Sequence, residues 1–343
     1  MKKITIRDVA KSARVSYVTV SNVINNTGRM SEKTKIKVLK VIEKLNFFPD
    51  LSARTLARGK SDVIAFVSSY LSSSFVIAVL SGAERRLFEM NKFKYNLEHY
   101  DTRGATEIKE NLLKNILYGK KADAVIMLTI KPEPKLMAEF KAREIPVILI
   151  ENKAAGAHTV RIDNYKGAYA ATEHLIKSGR KKIFYLSGPL GPSAYDEEEN
   201  PVVKDRLKGY MDALHEYNIE YDPKKVMQVV YFNQEEGIRS MDIIKKAAPD
   251  IDAIFAGAGD MVALGVMKQA AKYGIKIPDD IALVGYDDIE VAGIMTPSLT
   301  TVRQPMDEMG KVAFDIAVRS LEKEPLKIQN IVLQPQLIVR DSA

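Results

Sequence analysis

Residues 5–25 read Thr5-Ile-Arg-Asp-Val-Ala-Lys-Ser-Ala-Arg-Val-Ser-Tyr-Val-Thr-Val-Ser-Asn-Val-Ile-Asn25. Thr5 followed three residues later by Asp8 has the logic of a capping box, with a hydroxyl and a carboxylate answering the free amides of a helix start. Ile6, Val9, Ala10 and Ala13 then form one apolar helical face. Arg14-Val15-Ser16 interrupts it, and Ser16 can cap a second short helix from Tyr17 to Asn25 with Val20, Val23 and Ile24 turned inward. Asn26-Thr27-Gly28 ends that helix. A third is predicted after Ser31, with Ile36, Val38, Leu39, Ile42 and Leu45 as its apolar positions. Two short helices joined by a tight turn, followed by a third, describe a helix-turn-helix unit. The second helix of such a unit lies in the major groove of DNA. Here its outward residues are Tyr17, Val18, Thr19, Ser21 and Asn22, which suit base edges and phosphates.

Charge agrees with that placement. The chain of 343 residues carries a net charge of +7, and residues 1–60 hold 14 Lys+Arg against 4 Asp+Glu. The head is thus +10 and the remainder −3, so a polyanion partner is expected for the head alone. The linker begins where Pro49 disfavours helix at Phe48. It continues Leu51-Ser-Ala-Arg54-Thr-Leu56-Ala-Arg58-Gly59, too short for a stable helix by itself.

From Val63 the pattern changes to short apolar runs alternating with amphipathic helices. The predicted strands are 63–69, 95–100, 124–128, 147–150, 183–187, 226–232, 253–256 and 281–286. Helices are predicted over 75–90, 165–178, 206–216, 234–247 and 261–273. Such alternation means parallel sheets with right-handed crossovers, and there are too many units for one small sheet. The predicted fold class is α/β: a small all-α head plus two doubly wound parallel-sheet subdomains, with the natural ligand site in the cleft between them.

The opening stretch closely resembles the head of LacI-family bacterial transcription repressors, whose pattern T-I-x-D-V-A-x-x-A-x-V-S-x-x-T-V-S-x-x-[IL]-N it meets at nearly every fixed position. The likeness continues through Pro49 and Ala53-Arg54-Thr-Leu56, similar to the family's hinge, and through Thr159-Val-Arg-Ile-Asp163-Asn164, Arg206-Leu-Lys-Gly209-Tyr210, Asp260-Met-Val-Ala-Leu-Gly265, Val284-Gly-Tyr-Asp287-Asp288 and Pro297-Ser-Leu-Thr-Thr-Val302. The resemblance implies a periplasmic-binding-protein-like body. It implies a head over 1–48, a hinge over 49–61 and a body over 62–343. The N-subdomain would take about 62–161 and 293–323, and the C-subdomain about 162–292 and 324–343.

For function, the resemblance implies DNA contacts at Thr5, Ser16, Tyr17, Val18, Thr19, Ser21, Asn22 and Asn25. It adds hinge contacts at Ser52, Ala53, Arg54, Leu56 and Arg58, with Leu56 as an apolar wedge in the minor groove. Asn22 stands where the family often has Arg or His, which points to adenine in place of guanine. Effector contacts map onto Phe75, Asp163, Arg206, Phe232, Asp260 and Asp287. Carboxylates accepting from hydroxyls, a guanidinium fork and an aromatic ring suit a sugar or related polyol. Other readings stay open residue by residue. Arg206 and Asp287 could form an internal ion pair, Asp163-Asn164 could cap the next helix (Asn164 above all), and Phe75 and Phe232 could be core. Two departures stand out: Gly259 replaces the family's usual Asn, and the chain has no Trp. The stretch from Pro192 through Tyr195 and Asp196 to Glu199 exceeds the family's usual loop.

The expected protein is a homodimeric, ligand-responsive regulator, a repressor reading a roughly palindromic operator, with no cofactor. DNA binding tightened by a co-repressor or a phosphoprotein partner is the alternative, and a carbohydrate-binding or carbohydrate-processing protein is the alternative of another class. Enzyme signatures are weak. There is no cysteine, and the four histidines are scattered at 99, 158, 174 and 215. Gly257-Ala-Gly259-Asp-Met-Val262 lacks the third glycine of a dinucleotide fingerprint. Without a signal-like segment or an apolar run of membrane-spanning length, a soluble cytoplasmic protein is expected.

Overall fold

In the computed structural model, which describes residues 4–25 (backbone only at Asn25), 28–47, 59–189, 200–322 and 326–343, the head holds three helices. They are α1 (Ile6–Ala13), α2 (Tyr17–Asn25) and α3 (Glu32–Lys44). Val9, Ala10, Ala13, Val20, Val23, Val38 and Phe47 bury against one another as a small core. Arg14 adopts a left-handed φ of 50° and turns the chain from α1 into α2. On α3 the buried stripe runs through Val38, Val41, Ile42 and Leu45. Ile36 and Leu39, expected inside, lie off that stripe and are exposed. Residues 1–61 and 62–343 form two compact units.

The body contains two six-stranded sheets. The first has the order β11-β5-β4-β3-β1-β2, built from β1 (Val63–Ser68), β2 (Asn96–Asp101), β3 (Ala124–Leu128), β4 (Val147–Ile150), β5 (His158–Ile162) and β11 (Asn330–Leu333). Every pairing in it is parallel. The second has the order β12-β10-β9-β8-β6-β7, built from β6 (Ile183–Ser187), β7 (Val226–Gln228), β8 (Ala253–Phe255), β9 (Ala282–Asp287), β10 (Thr300–Arg303) and β12 (Gln336–Ile338). Only β12 runs antiparallel to its neighbour.

Both sheets are covered on both faces. On the first, α4 (Ser74–Glu89) and α11 (Met306–Leu321) pack on one side, and α5 (Thr106–Tyr118) and α6 (Pro134–Ala142) on the other. On the second, α7 (Asn164–Lys177) and α8 (Pro201–Glu216) oppose α9 (Gln234–Ala247) and α10 (Asp260–Lys272). Burial on both faces explains the unbroken apolar strands such as Val63-Ile-Ala-Phe-Val-Ser68, buried at every position. Glycines bring helix pairs close in both halves, α4 with α11 in the first and both α7 with α8 (through Gly209) and α9 with α10 in the second. A Cβ built on Gly310 of α11 would fall on the Val79 carbonyl of α4, and one on Gly265 of α10 would fall on the Gln234 carbonyl of α9.

The chain crosses between halves at residue 163, at 304–305 and at 334–335. Two expected boundaries shift accordingly. β10 was assigned to the first half with 293–323, but its parallel register with β9 places it in the second sheet. β11 was assigned to the second half with 324–343, but it pairs with β5 in the first. Strand β7 stops at Gln228, short of the expected Phe232, and Val230, Tyr231 and Phe232 are exposed.

Candidate functional site

In the head, Thr5 closes the expected capping box: its N–H and its hydroxyl both donate to Asp8, at 2.9 and 2.7 Å. Ser16 caps α2 by accepting from the Thr19 N–H at 3.0 Å, and the two hydroxyls lie 2.8 Å apart. Tyr17 and Val18 are 59% and 48% exposed at the start of α2. Two such side chains standing free of the core fit a surface that meets DNA. Ser21 and Asn22 are half-buried. The Asn22 amide lies against Gly28, whose φ is +79°, so a side chain at Gly28 would press on the recognition helix. The side chain of Asn25 and the hinge residues Ser52, Ala53, Arg54, Leu56 and Arg58 lie outside the described residues. So do Tyr195 and the acidic stretch 196–199.

In the body, polar groups gather where the strands end. Arg206, on the first half of α8, is 8% exposed. Its Nε donates to Asn164 Oδ1 at 2.8 Å and its Nη1 to the Gly257 carbonyl at 2.9 Å. The guanidinium lies 3.6 Å from the centroid of the Tyr286 ring. Two directed bonds and a ring beneath fix the plane of the fork, and the remaining nitrogen, Nη2, makes no hydrogen bond among the described residues. The nearby hydroxyls of Tyr185 and Ser187 are buried beside each other, and neither has any further hydrogen-bond partner among the described residues. Buried hydroxyls short of partners are costly, and ligand sites are where they are tolerated.

Asp287 ends β9 with a φ of 118° and accepts from the Gln304 amide. Burial pushes its carboxyl up to about 6, against the pull of Arg206. No ion pair joins Arg206 to Asp287 among the described residues, so the internal pair is not formed and the guanidinium is held by neutral acceptors. Gly259 occupies a φ of 118°, and a Cβ there would lie 2.7 Å from Asp287 Oδ2. The glycine therefore leaves room for the Asp287 carboxylate that a larger residue would take.

The other expected contacts divide. Asp163 is the cap of α7, accepting from the Lys166 N–H at 3.0 Å. Asn164 was expected to be the cap; it is instead the first residue of α7, buried and turned inward to Arg206. Asp260 is fully buried and spends both oxygens internally, on the Thr301 hydroxyl at 2.6 Å and the Ile289 N–H at 3.0 Å. Burial and the neighbouring Asp287 hold its carboxyl well above the usual range. It braces β10 and the turn after β9 and offers no surface to a ligand. Phe75 is half-buried against the first-sheet core. Phe232 is 52% exposed, with its ring edge at Gly188. Sequence reading missed Glu151, Tyr185 and Ser187, which carry no local motif and meet Arg206 only through the fold, and it passed over Tyr286, which stands in the Val284–Asp288 motif beside Asp287.

Among the described residues no group of side chains is arranged to hold a metal ion, and no helix is long and apolar enough to cross a membrane.

Known proteins resemble this chain along its length. Residues 5–50 match the family model for bacterial regulatory proteins of the lacI family, and residues 172–343 match a periplasmic binding protein-like domain. The HTH-type transcriptional regulator DegA of Bacillus subtilis (strain 168) is 33% identical over 99% of this chain and 98% of its own length. The HTH-type transcriptional repressor PurR of Escherichia coli O139:H28 is 31% identical over 98% of this chain and 96% of its own. Among solved structures, a transcriptional regulator CelR–cellobiose complex is 27% identical with a TM-score of 0.72, covering 99% of this chain and 100% of that one. A lac repressor dimer bound to operator and the anti-inducer ONPF has a TM-score of 0.83 at 24% identity, covering 99% of both chains, and shows the shared fold.

Proposed function

The chain belongs to the LacI family of DNA-binding transcriptional regulators, and on that premise we propose that it is a repressor released from its operator by a small sugar-like effector bound between the two halves of the body. The observation that carries this reading is Arg206, held over Tyr286 with one nitrogen unbonded among the described residues, beside two buried hydroxyls that have no partner there but each other. A polyol supplies what those groups lack: oxygens to accept from the guanidinium, and hydroxyls to pair with Tyr185, Ser187 and the Asp287 carboxylate. The relative solved with cellobiose supports the same class of ligand.

The head would read one half-site through Tyr17, Val18 and Asn22, with the hinge residues and Leu56 contributing at the centre of a palindrome. A homodimer is part of this reading. Its support is two exposed apolar side chains, Ile294 at 78% and Ile77 at 49%, beside an open groove of about 840 Å³ that also takes in Asp287, Asp288, Glu290 and Arg303. Apolar side chains so exposed around one groove suit a contact between copies. A ligand spanning the halves prefers one closure state and changes DNA affinity only by its differential affinity for the two.

The test begins with an operator selected from random DNA by the full-length protein. Its affinity is then titrated with and without a panel of mono- and disaccharides. Release by one sugar, lost in Arg206→Ala with apo affinity kept, is the expected result. Tighter binding with ligand would make the protein a co-repressed regulator. A response preserved in Arg206→Ala would place the ligand elsewhere.

A further inference from the structure

Glu151 follows the last residue of β4, in the first half, with a left-handed φ of 58° and 3% exposure. Its Oε1 accepts from the Ile162 N–H at 2.5 Å, and its Oε2 accepts from Asn164 Nδ2, also at 2.5 Å. Asn164 stands immediately past the first crossing between the halves. The same amide therefore faces two ways: its nitrogen toward Glu151 and the Ile162 carbonyl, its oxygen toward Arg206 Nε and the Tyr286 hydroxyl. A flipped amide would set donor against donor on the Arg206 side and acceptor against acceptor on the Glu151 side.

We propose that Glu151 is a positioning residue for the effector arginine: reaching from the first half, it holds Asn164 across the crossing, and through Asn164 it fixes Arg206 in the orientation that receives a ligand. This inference rests on Arg206 being an effector residue.

The hold depends on charge. Two N–H donors converge on Glu151, one on each oxygen, and an ionised carboxylate accepts strongly from both. In a neutral carboxyl one of those oxygens becomes a hydroxyl, a much weaker acceptor, so one of the two donors loses most of its bond. Protonation thus loosens either the crossing at Ile162 or the Asn164 amide. The groups around Glu151 set where this happens. Burial pushes its carboxyl up to about 7, opposed by the Ile162 N–H, by Arg206 from α8, by Asn164 from α7 and by Arg161 from β5, while Tyr286 of β9 packs nearby. Asp287 also faces Arg206 and has its own carboxyl near 6, so the two carboxyls must be told apart by substitution. The effector site would then be locked above neutrality and loosened below it.

The experiment needs no ligand. Phenylglyoxal modifies accessible guanidinium groups, and peptide mapping of the full-length protein gives the rate at Arg206 relative to the exposed Arg85, which cancels the pH dependence of the reagent. Between about pH 6 and about pH 8.5 the wild-type ratio is expected to fall severalfold as pH rises, with a midpoint near the Glu151 value. Glu151→Gln supplies one acceptor in place of two and should stay reactive, with no step in that range. Glu151→Asp, which restores two acceptor oxygens, should recover a step. A flat wild-type profile would overturn the proposal whether or not the Gln variant folds. So would a step that persists in Glu151→Gln and vanishes in Asp287→Asn. The sugar titration with Arg206→Ala tests the separate claim that this arginine serves an effector. A pH-dependent ratio alongside an unaffected sugar response would keep the Glu151 hold and discard that claim.

Discussion

The two halves of the body share one scaffold and differ at their rims. Each is a six-stranded sheet between helix layers, with at least one glycine-tight helix pair. At the end of β1 and β2 the first rim satisfies itself. Ser68 bonds His99 at 2.8 Å, Ser69 bonds Thr102 at 2.8 Å, and Asp101 accepts from the N–H groups of Tyr70, Leu71 and Arg103. At the end of β6 and β9 the second rim leaves the Tyr185 and Ser187 hydroxyls with no partner but each other among the described residues, and holds Asp287 and Asp288 at positive φ. Left-handed residues stand on both rims, Tyr70, Arg103, Thr129 and Glu151 on the first, so the rims differ in hydrogen bonding and not in strain. A ligand of the proposed kind would gain most by adding bonds on the second wall, while the first would offer it shape and the proposed Glu151 hold.

The shared scaffold is the easiest part of the comparison to break. Gly310→Ala and Gly265→Ala each drive a methyl into a backbone carbonyl of the partner helix, and overpacking of that kind costs about 3 kcal/mol. Urea denaturation should show both losses at similar size. A tolerated substitution in one half would mean that its helices are free to part and that the two scaffolds are not equivalent.

A pH series sharpens the contrast between rims. The Asp287 carboxyl is raised in the fold, so between the ordinary Asp range and about 6 the native state keeps a proton that the unfolded chain has released. Stability must then fall as pH rises through that window, by about 2 kcal/mol between pH 4 and pH 5.5. Asp287→Asn should remove that share of the slope, measured as the difference in unfolding free energy between variant and parent at each pH. An unchanged slope would place the titration elsewhere.

The smallest expected effect compares two serines. Ser68→Ala breaks a bond to His99 and should cost about 1 kcal/mol, whereas Ser187→Ala deletes a hydroxyl whose one neighbour among the described residues is the Tyr185 hydroxyl and should leave stability within about 0.5 kcal/mol of the parent. If both cost the same, the second rim is not short of partners.

These features were unequally visible in the sequence. Strands such as Ala124-Val-Ile-Met-Leu128 and Val147-Ile-Leu-Ile150 announce themselves because both faces are buried. His158-Thr-Val-Arg-Ile162, Thr300-Thr-Val-Arg303 and Asn330-Ile-Val-Leu333 are short and partly polar, and they were missed by periodicity. Nor can composition say which sheet a strand joins. That is decided by register with a partner far away in sequence, and it is why β10 and β11 were placed in the wrong halves. Arg206 and Asp287 were legible through the family pattern. Glu151 was not, because its importance arises only when β4 and α7 are brought together. Asp260 was misjudged for the converse reason: a motif carboxylate turned out to be a buried brace.

The threefold crossing between halves has a consequence for synthesis. Each sheet receives its last strand from the end of the chain, the first from residues 330–333 and the second from residues 336–338. As the polypeptide leaves the ribosome, some 300 residues of the body and head emerge while β5 and β10 still present open edges, the kind of edge on which nascent chains misassociate. Neither half can close early and wait for the other. The two sheets receive their last strands within the same short stretch of translation, so a chain arrested before residue 330 would carry two unfinished sheets instead of one finished half.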